Sequence, residues 1–120
     1  MTLPADPRGF AEAWTAAWNA HDVEAVLAHF HDDCLFTSTV AAKLGFGDKG
    51  VVRGKAALRD YWTKALALVP GLHFTLLSVH VGVDLMLIGF RNEAGVERAE
   101  ILRFRDGLVI EGHGTSPVAA

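Results

Sequence analysis

The chain has 120 residues, 51% of them hydrophobic and 21% charged, and a formal net charge of -3. A chain of this length is expected to form one domain and to bury roughly two-thirds of its unfolded surface, so disorder is not expected. With 11 Lys and Arg against 14 Asp and Glu and no basic block, nucleic acid and anionic membrane are excluded as main partners, and the single cysteine, Cys34, excludes an internal disulfide framework or a multi-cysteine zinc site.

The opening stretch MTLPADPRGF lacks the basic and apolar regions of a signal peptide. No apolar run approaches the ~18 residues that span a bilayer. A soluble, cytoplasmic protein is the expectation. Asp6 before Pro7 is a helix start, pairing a side-chain acceptor with a residue whose missing N–H costs nothing in the first turn. Phe10, Trp14 and Trp18, flanked by Ala13 and Ala17, predict an amphipathic helix from Arg8 to Ala20. Asp22 caps a second, short helix that buries Val23, Val26, Leu27 and Phe30, and His31-Asp32-Asp33 ends it.

The run CLFTST, beginning at Cys34, is β-branched and aromatic and reads as a short strand. Residues 40–54 hold four glycines and no period, and read as a mobile loop: a lid, a rim or a plain connection. Helix period returns with Leu58, Tyr61, Trp62, Ala65, Leu66 and Val69, and stops at Pro70-Gly71. Four consecutive strands follow, LHFTLLSVHV, LMLIGFR, VERAEILRFR and LVIEGHGTS, with short connections that imply an antiparallel meander. Helices first and strands last give an α+β fold, the helical elements covering one face of a curved sheet.

The Asp106-Gly107 turn assigns faces. A two-residue loop pairs Arg105 with Leu108, Phe104 with Val109, Leu102 with Glu111, and Glu100 with His113. Glu100, Leu102, Phe104, Val109, Glu111 and His113 then share one face, expected to be the concave one. Ile101, Arg103, Arg105, Leu108, Ile110 and Gly112 share the other. A single bulge in the last strand reverses the placement of Glu111 and His113. The remaining strands are apolar on both faces, which predicts a second copy packed on the convex side, a homodimer through the sheet.

Three motifs carry a resemblance over nearly the whole chain: the helix–Asn19-Ala20-His21-Asp22–helix opening, Arg53-Gly54-Lys55 before the next helix, and Asp106-Gly107-Leu108-Val109 in the final hairpin. The chain resembles the SnoaL-like polyketide cyclase branch of the nuclear transport factor 2-like superfamily. The resemblance implies a cone-shaped α+β barrel, its curved antiparallel sheet covered by three helices around a deep pocket, and acid–base chemistry without a cofactor. In cyclases of this type an Asp and a His inside the cone move the protons. His113 with Glu111 or Glu100 would fill those roles, glutamate standing in for aspartate. Ketosteroid isomerases of the superfamily use a tyrosine on the first helix, where this chain has Trp14 and Trp18. Arg98-Ala99-Glu100 resembles the Arg-x-Asp pair of limonene-epoxide hydrolase, although its spacing to Glu111 is shorter than in that enzyme.

Glu100, Glu111 and His113 are thus the candidate catalytic set. A histidine beside a carboxylate can take and return a proton. A buried structural His113–Glu100 bridge is the alternative. Trp14, Trp18, Phe36, Tyr61, Trp62, Phe74 and Phe104 are the candidate wall for a flat, apolar ligand, or else plain core. His21 reads as a helix end, Asp22 as a cap, and the His29–Asp33 run as a solvated helix end without metal-ligand spacing. His73 and His80 fall on opposite faces by parity and carry no assignment. Cys34 reads as a small buried apolar residue. The function expected is a cofactor-independent cyclase, isomerase or dehydratase acting on an apolar small molecule. The alternatives are a non-catalytic binding or dimerisation module of the same fold, or an epoxide hydrolase-like enzyme.

Overall fold

A computed structural model describes residues 3–119. Helix α1 runs Pro7–Asn19, with Asp6 accepting a hydrogen bond from the Gly9 amide at 3.0 Å. Helix α2 runs Val23–Leu27, and the Asp22 carboxylate accepts from the Ala25 amide at 3.0 Å. Both caps satisfy amides that a helix's first turn leaves without partners. The first strand starts earlier than expected. His31, Asp32 and Asp33 do not end a helix but belong to β1, Phe30–Ser38.

Residues 40–54 also differ from the expected loop. Ser38 caps a short helix α3, Thr39–Leu44, and a tight turn leads into strand β2, Val51–Arg53. At six residues, α3 is too short to show a hydrophobic period. Helix α4, Lys55–Leu68, buries Leu58, Tyr61, Trp62 and Leu66. The predicted meander follows as β3 (Thr75–Val81), β4 (Leu85–Arg91), β5 (Glu97–Arg105) and β6 (Leu108–Gly114).

The six strands form one sheet in the order β2-β1-β6-β5-β4-β3. The β1–β6 pair is parallel and every other pair antiparallel. The parallel pair needs a long return connection, and the chain between β1 and β6 supplies it. Helices and sheet enclose a core whose fully buried members include Trp14, Phe30, Leu58, Met86, Ile88 and Phe104. Each such aliphatic or Phe side chain contributes about 1.5–3 kcal/mol on leaving water.

The final hairpin begins in the predicted register, with Arg105 opposite Leu108 and Phe104 opposite Val109. The register then shifts, so that Arg103 faces Glu111, Leu102 faces Gly112, Ile101 faces His113 and Glu100 faces Gly114. Ile110 is the extra residue of a β-bulge, and beyond it β6 presents its other side. Glu100, Leu102 and Phe104 remain concave. Glu111 and His113 move to the convex face with Arg103 and Ile101, and Gly112 and Gly114 turn inward.

Candidate active site

A cavity of about 250 Å³ lies between the helices and the concave face of the sheet. Trp14, Trp18, Phe36, Tyr61, Trp62 and Phe74 line it, as expected of a ligand wall. Phe104 does not. It is 1% exposed and packs edge-on against Phe10, with ring centroids 5.1 Å apart. The lining aromatics hold one another in place: Trp62 meets Trp18, Phe30 and Phe36 edge to face at 5.0, 5.3 and 5.4 Å. Such pairs add about 0.5–1.5 kcal/mol each beyond their burial.

Phe74 is fixed by Asn19, a residue the sequence marks only as part of the opening motif. The Asn19 side chain donates to the Phe74 carbonyl at 2.9 Å and accepts from the Phe74 amide at 2.7 Å. The same seam holds the His21 ring nitrogen 2.8 Å from the Leu72 carbonyl. The end of α1 is thereby tied to the start of β3 beside the cavity.

Of the three candidate catalytic residues, only Glu100 lines the cavity. The residue is 7% exposed. Burial, opposed by the Arg98 charge, pushes its pKa up from 4.5 to about 7. Arg98 also lines the cavity, and its Nε is buried without a hydrogen-bond partner among the described residues.

Gly114 makes room for this carboxyl. A Cβ at position 114 would lie 3.2 Å from Glu100 Oε1 and 3.6 Å from Ser38 Oγ. The glycines of Glu111-Gly112-His113-Gly114 therefore give clearance inside the cone. The expectation had placed Gly112 on its outer face.

His113 and Glu111 make a separate arrangement on the convex face. His113 Nε2 is 2.7 Å from Glu111 Oε1, and His113 Nδ1 is 2.6 Å from Thr37 Oγ1. Arg103 Nε lies 3.8 Å from Glu111 Oε2 and pairs through its Nη1 with Asp84 at 2.8 Å. Neither His113 nor Glu111 lines the cavity, and a His113–Glu100 bridge does not form because the bulge separates them by the thickness of the sheet.

Two cavity-lining residues carry polar groups whose part the sequence did not reveal. The sequence marks Tyr61 only as a helical and aromatic-wall residue, and Ser38 only as a member of the CLFTST strand. Ser38 Oγ lies 3.2 Å from Tyr61 Oη. Burial raises the Tyr61 pKa, the Ser38 hydrogen bond lowers it, and the Glu100 charge raises it further. Their separation in sequence leaves no spacing signal to find them by.

Among the described residues no group of three or more His, Cys, Asp or Glu is placed to hold a metal ion. Cys34 is 1% exposed, and burial raises its thiol pKa, which makes it a poor nucleophile. No helix among the described residues is long and apolar enough to cross a membrane.

The model of the SnoaL-like domain matches residues 11–112. A SnoaL-like protein of unknown function from Burkholderia thailandensis superposes with a TM-score of 0.89 at 29% identity, over 98% of this chain and 100% of that one. TerC, crystallised with polyporic acid, superposes with a TM-score of 0.77 at 17% identity, over 93% and 92%. A nuclear transport factor 2-like protein of unknown function from Burkholderia pseudomallei does so at 0.74 and 12% identity, over 92% and 90%. A sequence comparison with curated proteins finds no match.

Proposed function

The chain belongs to the SnoaL-like domain family, and from that premise we propose that its cavity is the site of a cofactor-independent acid–base enzyme. Glu100 is the proton-transfer group, and the substrate is an apolar small molecule held by the aromatic wall. The carrying observation is a buried carboxyl on an aromatic cavity wall, where burial pushes its pKa up to about 7. A group with that pKa is present in both forms near neutrality, so it can remove a proton and return it. Isomerisation, cyclisation and dehydration all need such a group.

The test is solvent-deuterium exchange at the α-carbons of 2-tetralone, followed by proton NMR. The expected result is acceleration by the wild type and a loss of about 100-fold or more in Glu100→Gln. Binding of 2-tetralone with no acceleration by the wild type would favour the non-catalytic binding module.

A second copy of the chain is proposed on the convex face. Leu35, Leu85, Leu87 and Ile101 remain only half-buried there in the single chain. An outer sheet face carrying this much apolar surface is the pattern of a subunit contact. Sedimentation at micromolar concentration should give twice the chain mass. A monomer would overturn the dimer without touching the assignment of Glu100.

A further inference from the structure

Serine has one hydroxyl proton and two acceptor lone pairs. Ser38 Oγ accepts from the Val40 amide at 3.1 Å and the Ala41 amide at 3.2 Å, as the cap of α3. Both lone pairs are thereby used. Its remaining contact is Tyr61 Oη at 3.2 Å. A hydrogen bond from Tyr61 to Ser38 would need a third lone pair, so Ser38 donates and Tyr61 accepts. The Tyr61 proton then has no acceptor among the described side chains, and Tyr61 lines the cavity.

We propose that Tyr61 is the hydrogen-bond donor for an oxygen of the bound molecule, and that Ser38 is the positioning residue that turns the Tyr61 proton into the cavity. This rests on the reading of the cavity as a ligand site. It adds the class of ligand: an apolar body carrying an acceptor oxygen, such as a carbonyl, placed between Tyr61 and Glu100. It also ties the donor to the cavity's cover. Val40 and Leu44 of α3 line the cavity, and the same two amides that fix the first turn of α3 fix the direction of the Ser38 proton. Unwinding α3 frees the Ser38 lone pairs and lets Tyr61 turn its proton away.

The experiment uses 2-acetylnaphthalene as the probe, with binding followed by tryptophan fluorescence and its carbonyl stretch by isotope-edited infrared spectroscopy. The expected result is a lowered carbonyl frequency in the wild type. Tyr61→Phe should lose that shift and weaken binding about tenfold, the size of one hydrogen bond. Ser38→Ala should lose part of the shift with Tyr61 still present, and Ser38→Thr, which keeps the hydroxyl and the cap, should restore it. Binding with the same carbonyl frequency in wild type and Tyr61→Phe would overturn the donor assignment alone. Equal frequencies in wild type and Ser38→Ala would overturn the positioning role. Failure of the probe to bind at all would overturn the ligand-site reading beneath both.

Discussion

Arg103 and Glu111 stand directly opposite each other on β5 and β6, although the Asp106-Gly107 turn starts the hairpin one residue out of step with that pairing. The bulge at Ile110 reconciles the two registers. It leaves the charged pair outside and turns Gly112 inward, where a Cβ would lie 2.9 Å from Phe36 Cδ2 and 3.1 Å from Leu102 Cδ2. Gly112→Ala therefore forces a methyl between two buried side chains. The expected loss is about 1–3 kcal/mol, read from urea unfolding. A variant as stable as the wild type would mean that this strand does not turn position 112 into the core.

His113→Ala separates the convex network from the cavity. His113 bonds Thr37 and Glu111, and none of these three side chains lines the cavity around Glu100. Stability should fall by about 1 kcal/mol, since the network is partly exposed to water. The affinity for 2-acetylnaphthalene should stay within about twofold of the wild type in a fluorescence titration. A tenfold change would return His113 to the site.

Glu100 links stability to pH with a definite sign. Its folded-state pKa is raised from 4.5 to about 7, so folding favours the protonated carboxyl. That contribution is fully present below the unfolded value and is lost as pH rises through the folded one. The shift corresponds to about 3 kcal/mol. Relative to Glu100→Gln, the wild type should therefore lose about that much stability between pH 4.5 and about 8. Parallel pH profiles for the two proteins would contradict the shift.

Cys34 offers a test of the core. It is buried and its thiol pKa is raised by that burial, so an aromatic disulfide reagent should label it only as fast as the chain opens. Rapid labelling of the native protein would show that β1 does not seal against the helices.

Much of this was legible in the sequence, because strong local signals carried it. Asp6 and Asp22 announced their helices, and Phe10, Trp14 and Trp18 gave one helical face. Asp106-Gly107 fixed the turn of the last hairpin. Glu100 sits on the turn side of no irregularity, so parity counted from Phe104 placed it correctly. Glu111 and His113 lie beyond Ile110, and one extra residue in a period-two element sends every later side chain to the other face. A bulge leaves no mark in composition. Ser38 and Tyr61 were hidden for another reason. Their partnership depends on α4 folding back over β1, and a serine inside a run that reads as a strand gives no sign of it.

The central claim is that Glu100 is a cavity carboxyl poised near neutrality. Carbon-13 NMR of glutamate side-chain carboxyls, with Glu100 assigned by comparison with Glu100→Gln, measures this directly as a function of pH. The expected midpoint is about 7, set by burial against the pull of Arg98. A midpoint near the ordinary value of 4.5 would mean that the carboxyl is solvated, and the proposed acid–base role would fall with it.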